Sequence, residues 1–244
     1  MLQVDQVSKE FRGLRALNNV SFGIEAGKIT GLIGPNGAGK TTLFNVISGV
    51  FRPTTGKVIF HNQDVTLLQP YERCSLGMAR TFQIMKPLPY MSVIDNVIAG
   101  CMFGRYNCSS LASARAKTLE ILEFTALMHR KDVLAKELGT ADKKRLELAR
   151  ALGTNPSLLL LDEVMSGLNN TESDECVQLI RKINQNGITV LLIEHVMKVV
   201  VNLCEKIIVL HHGEKIAEGA ADEVMNNELV IEVYLGKEEE HAQA

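Results

Sequence analysis

The segment Gly34-Pro35-Asn36-Gly37-Ala38-Gly39-Lys40-Thr41 constrains this chain more than any other. It follows the pattern Gly-x-x-x-x-Gly-Lys-Thr between an apolar run, Ile29-Thr30-Gly31-Leu32-Ile33, and a stretch from Thr42 to Ile47 with helical character. A strand that passes through glycines straight into a helix turns successive backbone N–H groups toward one point, and the helix start adds the positive end of its dipole. That geometry calls for an anion of nucleotide type. Lys40 is then expected at the terminal phosphates, with the Thr41 hydroxyl as a ligand of Mg2+ and Thr42 completing the loop.

The other strand-like segments are short and apolar: Leu158 to Leu161, Thr189 to Ile193 and Ile207 to Leu210. Separated by helical patterns, they predict an α/β fold with a largely parallel central sheet, and continuous apolar runs of this kind suit strands buried on both faces. From about 85 to 153 the pattern is helical, with Leu119, Leu122 and Ala126 on one stripe, and is read as a helical insert. Thr171-Glu172-Ser173-Asp174 is read as a capping box, Val177, Ile180 and Ile183 follow at helical spacing, and Asn186-Gly187 stops that helix. The domain is expected over 1–236, with 237–244 as a charged tail that frays.

Two acids, Asp162 and Glu163, end the apolar run Leu158–Leu161. Buried charge there needs compensation, which a Mg2+–nucleotide would supply. Asp162 is expected to bind the metal, directly or through water, and Glu163 to act as general base on the attacking water. Glu194-His195 ends the next run in the same way and brings an imidazole to the edge where open α/β sheets bind ligands. His211-His212 before Gly213 reads as a turn, with no metal assigned to it.

Lys and Arg number 26 against 28 Asp and Glu, a net charge of −2, so no overall basic field marks a nucleic-acid binder and none is expected as a partner. The five cysteines are scattered, the nearest pair seven positions apart, which fits neither a disulfide framework nor C-x-x-C metal spacing. No leader is expected at Met1-Leu2-Gln3-Val4-Asp5, and no run approaches the roughly 18 apolar residues of a spanning helix. Membrane contact is therefore expected through a partner.

With these pieces in order, the chain resembles the nucleotide-binding domains of ABC transporters over essentially its whole length. The resemblance implies ATP and Mg2+ as cofactors. It assigns Gln83, in Arg80-Thr81-Phe82-Gln83, to the Q-loop that senses Mg2+ and the attacking water. His195 becomes the switch histidine at the γ-phosphate, Ser166-Gly167-Leu168-Asn169 the D-loop, and Phe11 the aromatic that stacks on adenine; an ordinary core phenylalanine is the alternative for Phe11. Gly31 to Thr42, Met78 to Gln83, Ile193 to Val200 and Val233-Tyr234-Leu235-Gly236 look closest to the ATPases of branched-chain amino-acid importers, whose relatives carry other small polar solutes. The partners so implied are membrane permease subunits, a second ATP-binding subunit (self or paralogue) and, indirectly, a solute-binding protein, at the cytoplasmic face of the membrane. The stretch Ile84 to Met91, with Leu88 and Tyr90, is expected to line the groove for a permease helix.

The signature loop departs from the family. Leu138-Gly139-Thr140-Ala141-Asp142 stands where Leu-Ser-Gly-Gly-Gln is usual, so the serine that would bond the γ-phosphate held by the partner subunit is missing. Thr140 and the following backbone N–H groups are expected to replace it. Val164 follows the two acids where proline is usual, and Asn169 stands where the D-loop often has aspartate. Two alternatives accompany the importer reading: a soluble ABC ATPase in assembly or repair, and a partner subunit with a degenerate composite site.

Overall fold

The structure, a computed structural model, describes residues 1–81, 87–106 and 108–235. They divide into two compact units, one of residues 1–70 with 189 onward and one of residues 71–188. The chain opens with β1 (Leu2–Phe11), β2 (Leu14–Ile24), β3 (Ile29–Ile33), α1 (Lys40–Ile47), β4 (Thr55–Phe60) and β5 (Gln63–Asp64). It continues with α2 (Pro70–Ser75), β6 (Met78–Arg80), α3 (Val93–Phe103), α4 (Leu111–Phe124), α5 (Thr140–Gly153), β7 (Leu158–Asp162) and α6 (Asn170–Gln185). Next come β8 (Thr189–Ile193), α7 (Met197–Leu203), β9 (Lys206–His211), β10 (Glu214–Gly219), α8 (Ala221–Met225) and α9 (Glu228–Leu235).

In the first unit, β1, β2, β4 and β5 form an antiparallel sheet in the order β2-β1-β4-β5. Leu2, Val4 and Val7 of β1 and Leu17, Val20, Phe22 and Ile24 of β2 are buried among exposed neighbours, the pattern of a sheet packed on one face. The other layer runs β10-β9-β3-β8, with β3 parallel to both β8 and β9 and β10 returning antiparallel. All five residues of β3 and of β8 are buried, the polar Thr30 and Thr189 among them, as their otherwise apolar runs require. His212 and Gly213 both have positive φ, 47° and 81°, and turn β9 into β10; of the histidine pair read as a turn only His212 lies in it, because His211 ends β9 opposite Glu214.

The second unit holds the parallel pair β6 and β7, in register from Met78 opposite Leu158 to Arg80 opposite Leu160. The described elements within 85–153 are helical: α3, α4, α5 and 3-10 turns at Met128–Arg130 and Ala135–Glu137. The stripe on α4 differs from the expected one. Leu122 is buried, but its companions are Ala114, Thr118 and Ile121, while Leu119 is half-buried and Ala126 lies past the helix, exposed, with φ 56°. Apolar spacing alone missed Thr118 and Thr125, whose hydroxyls go inward to Cys101 Sγ and the Ile121 carbonyl.

The capping box of α6 also moves. Asn169, not Thr171, is the N-cap: its side chain accepts from the Glu172 N–H at 2.9 Å, and the Glu172 carboxylate accepts from the Asn169 N–H at 3.0 Å. Asparagine caps at least as well as threonine, and glutamate at the third helical position completes the reciprocal pair. Val177, Ile180 and Ile183 are buried on the inner face, and Gly187 at φ 86° follows the helix end.

Candidate functional site

In the first unit β3 delivers the chain to Gly34, whose φ is 149°; a Cβ there would stand 2.1 Å from the Leu210 carbonyl oxygen. Gly39, at φ 100°, is equally confined, since its Cβ would meet the Ala16 carbonyl at 2.7 Å. Only glycine permits these approaches. The Gly213 N–H donates to the Ala38 carbonyl at 3.0 Å, which pins the loop to the β9–β10 turn. Burial pushes the Tyr234 phenol on α9 up to about 12, opposed by a hydrogen bond with the Gly34 backbone.

Lys40 folds back across this loop, its Nζ donating to the carbonyls of Gly34 at 2.7 Å and Pro35 at 2.9 Å. Gly39 caps α1 without any side-chain hydrogen bond, so the first-turn N–H groups are not claimed by a cap. Asn36, Gly37 and Thr41 are exposed, Ala38 is buried, and nothing stands within 4 Å of a Cβ at Gly37. An ammonium, uncapped amides and open space meet at one loop, a donor set that fits a polyphosphate. Thr41, the first hydroxyl of α1, is a hard oxygen donor of the kind Mg2+ takes.

His195 lies in the same unit. β3 and β8 run parallel with Leu32 opposite Ile193, so Gly34 and His195 both leave the sheet at its carboxyl end two residues later. His195 is exposed, while Glu194 before it is buried. Phe11 is at the β1–β2 hairpin and is 36% exposed, which removes it from the core. Its ring meets Phe51 edge-on at 5.2 Å, and the Lys9 ammonium stands 4.9 Å from its centroid.

In the second unit Asp162 ends β7 and is buried at 1% exposure. Its Oδ2 accepts from the Arg80 guanidinium at 3.2 Å, and its N–H donates to Thr81 Oγ1 at 3.3 Å. Burial draws the Arg80 guanidinium below its ordinary value, and Asp162 opposes that shift. Glu163 follows in the left-handed region at φ 47°, half-buried, and its carbonyl accepts from the Ser166 N–H at 3.2 Å and from the buried Lys144 ammonium at 3.3 Å.

The signature residues surround the start of α5. Gly139 is its N-cap at φ −70° and ψ 172°, with no side-chain cap and nothing within 4 Å of a Cβ. Gly139 and Thr140 are exposed, Ala141 is half-buried and Leu138 is buried. Asp142 is paired with Arg130 at 3.4 Å and Arg145 at 3.6 Å. A Cβ at Gly167 of the D-loop would stand 3.8 Å from the Thr140 methyl. Gln83 lies outside the described residues, as do Ile84, Met85 and Lys86; Leu88 and Tyr90 are 38% and 79% exposed.

Sequence reasoning passed over two cations. Arg80 stands in a motif that draws attention to its glutamine, and its pairing with Asp162 follows from the parallel register of Arg80 with Leu160, which the fold alone sets. Lys144 gave no such signal, because a lysine in a helix of mixed charge reads as solvated surface.

The profile of the ABC transporter family matches residues 17–166, and that of the branched-chain amino acid ATP-binding cassette transporter matches residues 214–240. A probable branched-chain amino acid transport ATP-binding protein LivG of Archaeoglobus fulgidus is 39% identical over 98% of this chain and 96% of its own. The high-affinity LivG of Escherichia coli K12 is 36% identical over 97% of this chain and 98% of its own. An ATP-binding cassette of an ABC transporter solved in its ADP conformation superposes with a TM-score of 0.87 at 34% identity, covering 97% of this chain and 98% of that one. The chain belongs to the ABC transporter family. Within it, the fold is that of the ATP-binding cassette, and the C-terminal match is to the branched-chain amino acid group.

Proposed function

We propose that the chain is the ATP-hydrolysing subunit of an importer for branched-chain amino acids, acting as a dimer of cassettes bound to membrane permease subunits at the cytoplasmic face. The observation that supports nucleotide chemistry best is the phosphate loop, where Lys40 and the uncapped start of α1 converge on a glycine turn that no other residue could make. The LivG relatives support the solute. Among the described residues no helix is long and apolar enough to cross a membrane.

In this reading Gly34 to Thr42 hold the phosphates and Phe11 stacks on the base. Thr41 and Asp162 hold Mg2+, which when bound neutralises charge on the phosphate oxygens. Glu163 takes the proton of the attacking water, and His195 donates to the γ-phosphate. Leu138 to Asp142 meet the nucleotide of the partner subunit, through amides rather than a serine.

The test is transport by the purified chain reconstituted with its permease and solute-binding protein in vesicles. Leucine uptake that needs Mg-ATP, and that Glu163→Gln lowers at least a hundredfold, is the expected result. ATP hydrolysis by the chain without stimulation by the permease would favour the soluble ATPase instead. A second reading, a partner subunit with an altered composite site, draws on the missing hydroxyl at Gly139; it predicts turnover only in mixed dimers with a paralogue.

A further inference from the structure

Lys144 is 4% exposed, an unusual burial for a flexible ammonium. It lies on α5, two residues after the signature segment, and its Nζ donates to the Glu163 carbonyl at 3.3 Å. That same carbonyl accepts the Ser166 N–H at 3.2 Å, so one oxygen ties the proposed general base to the D-loop and to the signature helix. Glu163 needs such a tie. A non-glycine residue at φ 47° lies in the left-handed region, which costs about 1–3 kcal/mol and persists only where the surroundings impose it. Val164 after it lacks the ring by which a proline would stiffen this turn.

We propose that Lys144 is a positioning residue for the hydrolysis reaction: by holding the Glu163 carbonyl it fixes the strained turn that aims the Glu163 carboxylate at the attacking water. The inference rests on Glu163 being the general base. In this proposal Lys144 acts through the Glu163 backbone on the rate step and leaves binding to the phosphate loop. A hydrogen bond from a charged donor supports a change of about tenfold or more in a rate that depends on it.

Lys144→Met and Lys144→Arg in the full chain provide the test, with ATPase kcat, KM for ATP and the melting temperature read together. The expected result for Lys144→Met is a kcat lowered about tenfold or more with KM within about twofold, and Lys144→Arg restores most of the rate. An unchanged kcat overturns the proposal. So does a loss of rate that follows a fall in melting temperature and is not rescued by arginine, since that is a packing defect. Should Lys144→Met fail to fold, amide exchange in Lys144→Gln replaces it: faster exchange at Ser166 supports the tie, and unchanged exchange refutes it. Absence of ATP hydrolysis by the unaltered chain and permease together would sink the ATPase reading and this inference with it, whereas normal turnover of the unaltered chain and of Lys144→Met alike sinks this inference alone.

Discussion

Replacing Gly139 by serine should tighten the ATP-closed dimer, and the structure permits the change without strain. Gly139 has φ −70° and ψ 172°, a conformation open to any residue, and no atom lies within 4 Å of the Cβ that serine would add. As N-cap of α5, a serine in place of glycine stabilises the helix by only a few tenths of a kcal/mol. The larger effect is on the partner's nucleotide. A hydrogen bond to a charged phosphate contributes about 1.5–3 kcal/mol, or about 10–100-fold per site. A symmetric dimer has two such sites, so the dimer dissociation constant should fall by about 10²–10⁴. Light scattering on Gly139→Ser, Glu163→Gln against Glu163→Gln alone, at saturating Mg-ATP over a range of protein concentration, reads this directly. Equal dissociation constants would refute the reasoning, because they would mean that position 139 does not face a phosphate. Thr140→Ala in the same background separates the substitute from the original: if Thr140 supplies the missing hydroxyl, the dimer weakens, and if nothing changes the Thr140 assignment is wrong.

Three further outcomes are expected. Gly34→Ala places a methyl 2.1 Å from the Leu210 carbonyl and should lower ATP affinity at least tenfold in calorimetry, with the loop rather than the global fold as the casualty; wild-type affinity would contradict the geometry. Arg80→Met leaves the Asp162 carboxylate buried without its cation and should cost about 3–5 kcal/mol in denaturant unfolding, much of it recovered by adding Asp162→Asn; a loss below about 1 kcal/mol would show that the pair is not holding the site. Burial and the nearby Glu194 push the Cys204 thiol up to about 12, above the ordinary value of a free thiol near 8.5, so it stays protonated and unreactive to iodoacetamide at pH 8 in the folded chain and reacts once unfolded; prompt native-state labelling would count against the packing.

The phosphate loop was legible because it is local: its glycines, lysine and threonine are consecutive, and their flanks are an apolar strand and a helix. The core strands were legible for the same reason, since Ile29–Ile33, Leu158–Leu161 and Thr189–Ile193 are apolar apart from Thr30 and Thr189 and buried throughout. What periodicity missed were polar groups that satisfy themselves locally. Thr118 is buried on α4 because its hydroxyl has Cys101, and Asn169 rather than Thr171 caps α6 because its amide oxygen reaches the Glu172 N–H. Lys144 and Arg80 escaped for a different reason: the atoms they serve, the Glu163 carbonyl and the Asp162 carboxylate, are 19 and 82 positions away, and no pattern of sequence spacing marks a pairing set by the fold.

The altered signature is less of a loss than a lost serine suggests. In a helix the first amides have no carbonyl one turn back, and a serine at the N-cap would use its oxygen on one of them. Here the first helical bond of α5 runs from the Lys143 N–H to the Gly139 carbonyl at 2.9 Å, and no side chain caps the turn before it. Glycine therefore removes a hydroxyl but leaves the amides of Thr140, Ala141 and Asp142 undivided at the positive end of a helix 14 residues long. Asp142 would set a negative charge beside them, yet its carboxylate is paired with Arg130 and with Arg145, which also holds Glu175, and that pairing offsets its charge. A signature built this way would bind a phosphate through main chain and helix dipole, so salt should weaken the closed dimer of this chain more than that of its Gly139→Ser variant.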